Sequence, residues 1–184
     1  MNNKIDRRII KSQKLIQSTF LTMLIKDGFD EITVKKITEQ ADISRKTFYL
    51  HYLDKYDLLD TIVKNQLKEL EEICEQKKDK GFIEGTIIWF EYFDEHKDFF
   101  SALFASQSTV SFRKQLLNFM MNELSKKINK ISPEKNSEIL IRFLAMAVLG
   151  IIESFLLDEL DSSTEEIAKE VGKLLLHNIS PSSN

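Results

Sequence analysis

From Ile5 to Ile25 the apolar residues Ile5, Ile9, Leu15, Ile16, Phe20 and Leu24 return at helical intervals, with basic residues between them. Gly28 is placed to end this helix. Thr33 has the side chain and position of an N-cap for a second, short helix over Val34 to Gln40. Ala41, Asp42 and Ile43 then make a three-residue turn, and Ser44 caps a third helix from Arg45 to about Tyr52. Asp54 caps a fourth, with the span to run from Lys55 to about Lys78 before Gly81.

The same periodicity predicts helices near 82–95, 97–105, 109–130, 133–158 and 164–178. Two of these starts are marked. Ser132 before Pro133 places an N-cap ahead of a residue whose missing N–H is harmless at the first helical position. Ser163 with Glu166 has capping-box spacing. The expectation is an all-α chain of about nine helices: a three-helix head over 1–54, a helical body over 55–179 and a frayed polar tail over 180–184.

Composition agrees with the helical reading. Five Gly and two Pro leave few helix breaks, and 42% apolar with 30% charged residues is the balance of a globular chain. Net charge is −3, so no overall basic excess points to nucleic acid. The distribution says more: residues 1–60 carry eleven Lys and Arg against nine acids, and the remainder is acidic. Cys74 is alone, which excludes an internal disulfide and fits a reducing cytoplasm. The amino end, with Lys4, Arg7, Arg8 and Lys11, lacks the apolar core of a signal peptide. The longest apolar run, Phe143 to Ile152, is about half of the ~20 residues that cross a bilayer, so no membrane partner is expected.

Two short helices joined by three residues and backed by a longer one can lay the second short helix in a major groove. Ile37, Ala41, Ile43 and Phe48 have the spacing of a small supporting core. Arg45, Lys46 and Thr47 then face outward at the amino end of the reading helix, where they can hydrogen-bond to base edges. Tyr49, His51 and Lys55 follow on the flank, with groups suited to phosphate oxygens.

The blocks Ile32-Thr33-Val34 through Ile37, Ala41-Asp42-Ile43-Ser44, Thr47-Phe48-Tyr49-Leu50-His51-Tyr52 and Lys55-Tyr56-Asp57-Leu58-Leu59 closely resemble the DNA-binding domain of the tetracycline-repressor (TetR), or AcrR-type, regulators. The resemblance covers roughly residues 8–62. It implies a helical homodimer, of repressor type, whose body binds an inducer. By position it also implies DNA contacts from Thr33, Ser44, Arg45, Lys46, Thr47, Tyr49, His51 and Lys55. Asp42 and Lys46 stand where the family often has Gly. Asp tolerates the left-handed conformation better than most residues, so the turn should survive; Lys46 adds a cationic donor, so the operator is this chain's own.

His96, His177 and Cys74 have no second ligand at zinc-like spacing and are read as surface or packing residues; no metal or cofactor is expected. The aromatics Phe82, Trp89, Phe90, Tyr92, Phe93, Phe99, Phe100 and Phe104 are read first as core. Should the body hold a pocket, Trp89, Phe93, Met120, Met121 and Phe143 are its candidate lining, which suits a small hydrophobic effector. Ile139 to Leu157 is apolar on nearly every face. With the last helix it is expected to form a four-helix interface with a second copy, through Met146, Leu149, Gly150, Glu153, Leu157, Ile167, Val171, Leu174 and Leu175.

Those readings imply a regulator released from a palindromic operator by an effector, with the fourth helix as the lever between head and body. The stretch from about His96 to Leu124 and the last two helices are also similar to the dihydroxyacetone kinase regulator subfamily, some members of which answer to a protein coactivator. That resemblance implies an alternative, a DNA-binding activator or architectural factor. An enzyme is not expected, because no paired nucleophile and base, ligand cluster or phosphate-cradling Gly loop is present.

Overall fold

The computed structural model describes residues 2–180; of the predicted tail, residues 181–184 lie outside the described residues. Nine α-helices occur among them. They are α1 (Asn2–Asp27), α2 (Val34–Gln40), α3 (Arg45–Tyr49), α4 (Lys55–Gln76), α5 (Phe82–Glu95), α6 (Lys97–Ala105), α7 (Val110–Ile131), α8 (Glu138–Leu156) and α9 (Thr164–Ile179). Single 3₁₀ turns precede α7 and α8.

The boundaries in the head follow from adjacent residues. Gly28, at φ +79°, takes the left-handed conformation that ends α1, and its N–H donates to the Leu24 carbonyl at 3.1 Å. Asp42 takes φ 50° in the turn between α2 and α3, doing what glycine does elsewhere in such turns. The third helix is shorter than expected and ends at Tyr49, since Leu50 to Tyr52 turn back toward the Lys46 and Phe48 carbonyls. Ile16, Phe20, Leu24, Phe29, Ile32, Ile37, Phe48 and Leu58 are fully buried beneath α2 and α3. Burial of such side chains contributes about 1.5–3 kcal/mol each, and it holds the short α3 that could not stand alone.

In the body, α7 and α8 run antiparallel, tied at one end by Arg113 and Glu153 and at the other by Ser125 and Asn136. The Arg113 guanidinium also lies over the Phe104 ring and donates to the Phe104 carbonyl at 3.0 Å. α9 runs antiparallel along α5: Thr164 Oγ1 donates to Asp94 Oδ2 at 2.9 Å, and Gly172 sits against the Ile83 backbone. All eight aromatics from Phe82 to Phe104 singled out in the sequence are buried.

Two sequence expectations change here. The Ser132-Pro133 signal begins a 3₁₀ turn, and the α8 cap is Ser137, whose hydroxyl accepts from Leu140 N at 3.2 Å. By length and composition alone, α8 could cross a membrane, although its longest uninterrupted apolar run is shorter. Its packing gives it another use. Ile141, Leu144, Ala145, Val148, Ile152, Phe155 and Leu156 fill the body core, while Ile139, Phe143, Met146, Ala147 and Gly150 form a stripe on the outside.

Candidate nucleic-acid interface

Each of the two short helices of the head is held at its start by a cap. Thr33 Oγ1 accepts from Lys36 N at 3.2 Å, and Ser44 Oγ accepts from Thr47 N at 3.0 Å while lying 2.9 Å from Thr47 Oγ1. These hydroxyls satisfy free amide donors at the helix starts. Arg45 and Lys46 are exposed beside them, and neither takes part in an ion pair among the described residues. Tyr49 is exposed with its ring edge on buried Phe48, at 5.6 Å between centroids. Thr33 thus caps the start of α2, and Ser44, Arg45, Lys46, Thr47 and Tyr49 lie together along the capped α3.

His51 and Lys55 behave differently. His51 Nε2 lies 2.7 Å from Ser12 Oγ, so one ring nitrogen ties the exit of α3 to α1. Next to it, Gln17 Nε2 donates to the buried Tyr52 hydroxyl at 2.9 Å. Sequence reasoning missed Ser12 and Gln17, which stand 39 and 35 residues from their partners with no local signal. Lys55 turns inward. Its ammonium donates to the Phe29 carbonyl at 3.1 Å and lies 4.5 Å from the Phe29 ring centroid. Burial pushes its pKa below the ordinary lysine value, with Asp30 and Glu31 opposing. Lys55 is therefore a brace between the α1–α2 loop and α4, an arrangement that leaves its phosphate role without a free-standing ammonium.

A second set of contacts joins this head to the body. Ser106, between α6 and α7, donates to Asp30 Oδ2 at 2.9 Å. Asp60 of α4 accepts from Ser111 and Gln115 of α7, each at 3.0 Å. The hydroxyls of Ser108 and Ser106, helped by Lys55, hold the Asp30 carboxyl below its usual pKa. Further along, the Tyr92 hydroxyl lies 2.9 Å from the Gln66 carbonyl, fixing α5 to the middle of α4.

A cleft of about 320 Å³ lies between the end of α4, the start of α5 and the second half of α7. Its floor is apolar, from Phe82, Ile88, Trp89, Leu124 and Leu175, and its rim carries Lys77, Lys78, Lys126, Lys127 and Lys130 with Glu75 and Glu123. Trp89 Nε1 donates to Cys74 Sγ at 3.1 Å, and burial pushes the thiol pKa up. Of the five residues expected to line a pocket, only Trp89 reaches this cleft. Phe93 and Met120 are fully buried core, Met121 packs half-buried against that core, and Phe143 is 62% exposed on the outer stripe of α8.

The expected interface residues also divide. Met146, Gly150 and Leu174 are exposed, and Leu149 and Leu157 are half-buried. Ile167, Val171 and Leu175 are buried within the chain, where α9 covers α5. Glu153 is paired with Arg113, its Oε1 accepting at 2.7 Å. For the three α9 residues the correction has one physical source: the apolar face of α9 is satisfied intramolecularly by α5, whereas the outer stripe of α8 is left exposed.

Residues 21–62 match the family profile described as bacterial regulatory proteins, tetR family, and residues 80–177 match that of a transcriptional regulator C-terminal region. The chain belongs to the TetR family. It is a DNA-binding transcriptional regulator, and the proteins it resembles in sequence and fold are regulators, not enzymes. TetR-family regulators typically act as dimers.

Among TetR relatives, the chain is 23% identical over 178 residues to the dhaKLM operon transcriptional activator DhaS of Lactococcus lactis, covering 94% of this chain and 93% of that one. It is 37% identical over 68 residues to the uncharacterized regulator YxbF of Bacillus subtilis, a match over 36% of this chain and only 18% of that protein. The solved structure of the dihydroxyacetone kinase operon activator DhaS superposes with TM-score 0.65 and 25% identity, over 92% of this chain and 97% of its own. A TetR-family regulator from Syntrophomonas wolfei shares the fold more closely, with TM-score 0.74 at 18% identity, over 95% and 98%.

Proposed function

We propose that this TetR-family chain works in the cytoplasm as a homodimeric repressor, reading a palindromic operator with α3 and released by a small hydrophobic effector. The observation that carries the DNA half is the pair Arg45 and Lys46, exposed and unpaired among the described residues at the capped start of α3. Unpaired cations beside Thr47 and Tyr49 can reach base edges and phosphates without first breaking an internal contact. Two α3 helices related by a twofold axis would meet the major groove about 34–36 Å apart. The outer stripe of α8, Ile139, Phe143, Met146, Ala147 and Gly150, together with Leu149, Leu157 and Leu174, supports the partner interface. An effector in the cleft would bear on the end of α4, whose first turns are braced to the head by Lys55; coupling of this kind is about 1–3 kcal/mol.

The test is selection of bound DNA from a random pool. A palindromic sequence whose affinity falls steeply with salt is expected, and absence of enrichment overturns the reading. Arg45→Ala and Lys46→Ala should each relax base preference, whereas Tyr49→Phe should weaken binding to every sequence alike.

A second reading makes the body a docking surface for a protein and the chain an activator. Similarity to the activator DhaS along nearly its whole length, and a body filled by packed aromatics, favour it. Deleting the protein in cells carrying the selected operator at a promoter separates the two: output rises for a repressor and falls for an activator.

A further inference from the structure

The DNA-binding reading leaves a second group of cations without a use. Between Arg7 and Lys26 the chain has five basic residues and no acid. Arg7, Arg8, Lys11 and Lys14 are all exposed, and none takes part in an ion pair among the described residues, whereas lysines of the body such as Lys126 and Lys169 are paired with glutamates. The first core residue of α1 is Ile16; Ile9 and Ile10, both about two turns earlier, stay 48% and 46% exposed. The amino end of α1 therefore stands beyond the packed head as a helical arm with a basic outer face.

Its location relative to α3 is fixed by the Ser12–His51 contact of 2.7 Å. Arg7, Lys11 and Lys14 follow one another at four and three positions and share one stripe of the helix. Arg8 lies between that stripe and Ser12, whose hydroxyl donates to the Arg8 carbonyl at 3.0 Å. One turn of helix rises about 5.4 Å, so Arg8 and Lys11 both lie within about a turn of the point where α1 meets the exit of the reading helix. Long side chains from that point can extend the cationic surface of Arg45 and Lys46 outward.

We propose that the amino end of α1 is a second DNA contact, in which Arg8 and Lys11, backed by Arg7 and Lys14, take phosphates flanking the half-site read by α3. The proposal rests on the DNA-binding reading above. Its partners are phosphates, so it strengthens binding to all sequences and carries no base preference. It also makes the head bind more tightly than the few outward residues of a five-residue α3 would allow.

The experiment compares R8Q/K11Q with K68Q/K169Q, which removes the same charge from exposed positions on α4 and α9, on the DNA selected by the wild-type protein. Circular dichroism melting first checks that the variants are folded. For R8Q/K11Q, the slope of log affinity against log salt should fall by about 0.9 for each phosphate that the variant no longer neutralises, and affinity should drop several-fold with the selected sequence unchanged. K68Q/K169Q should keep the wild-type slope. Equal slopes for wild type and R8Q/K11Q overturn the proposal, as does an equal fall in both variants, which would be a net-charge effect. If the wild-type protein selects no DNA at all, the DNA-binding reading itself has failed.

Discussion

The head and the body are built from the same kind of helix, yet they differ in where their information lies. In the head, Gly28, Thr33, Asp42 and Ser44 set every boundary from α1 to α3 through contacts with residues at most five positions away. The α3 side chains proposed to meet DNA are neighbours in sequence. In the body, the environment of each helix depends on which distant helix covers it. Phe100 is surrounded by Phe93 at 4.8 Å, Phe99 at 4.9 Å and Phe112 at 5.9 Å, a cluster assembled from three helices. A surface made of consecutive residues is readable from order alone, and a surface left over after packing is not.

The largest expected effects test whether the two regions are separate cooperative units. Phe100→Ala and Phe48→Ala each remove a fully buried ring, which costs about 3–5 kcal/mol. Phe100→Ala should lower the urea midpoint of the whole molecule. Phe48→Ala should melt the head first, abolishing operator binding while most of the far-UV helical signal persists. A single shared transition for Phe48→Ala would show that α4 and the Lys55 brace fuse head and body into one unit.

Next in size is the seam between α5 and α9. A Cβ added at Gly172 would stand 2.7 Å from the Ile83 Cα, a backbone atom that cannot move aside alone. Gly172→Ala should therefore cost about 1–3 kcal/mol by forcing the helices apart, more than the ~1 kcal/mol that alanine gains over glycine within a helix. Denaturant midpoints decide it. An unchanged or raised midpoint would mean that α9 lies loosely on α5, and then Ile167, Val171 and Leu175 return as candidates for the partner interface.

That seam also shows what the sequence carries and what it does not. The apolar stripe of α9 is plain in the spacing of Ile167, Val171 and Leu175, but spacing is silent on whether α5 or a second copy covers it. Phe143 reads as pocket lining from its apolar type, and only the packing of α8 leaves it on the outside. Lys55 reads as a phosphate contact from its place in the block, and the Phe29 carbonyl that holds it is 26 residues away. Trp89 reaches the cleft as its type suggests, but the lysine rim is invisible in the sequence because it joins α4 with α7 across about fifty residues.

Serines give a finer version of the same contrast, since three of them carry an N-cap signal and only two act on it. Ser163 Oγ accepts from Glu166 N at 3.3 Å, with the Glu166 side chain returning to Ser163 N at 3.0 Å. Ser163→Ala should cost about 1 kcal/mol. Ser132 is buried and its hydroxyl has no hydrogen-bond partner among the described residues, because Pro133 opens a 3₁₀ turn and α8 starts five residues later. Replacing an unpartnered buried hydroxyl with a methyl group removes a desolvation penalty, so Ser132→Ala should be neutral or slightly stabilising in the same denaturation assay. A loss equal to that of Ser163→Ala would restore Ser132 as a cap.

The smallest effect is at the join between the regions. Asp30 is exposed, so its hydrogen bond from Ser106 is screened by solvent and holds little of the total stability. Its pH signature is still distinct. Contacts with Ser108 and Ser106 favour the ionised carboxyl in the folded state, lowering its pKa from 3.8. A lowered folded-state pKa gives stability that is complete above the unfolded value and is lost as pH falls through the folded one. The gap in thermal midpoint between the wild type and Asp30→Asn should therefore be constant near neutrality and shrink as pH falls below 3.8. Taking the difference cancels the many other carboxylates that titrate there. A gap that stays constant through the acid range would mean that the serines do not discriminate between the two protonation states of Asp30, leaving α4, with Lys55 at its start and Asp60 on its flank, as the path by which the body restrains the head.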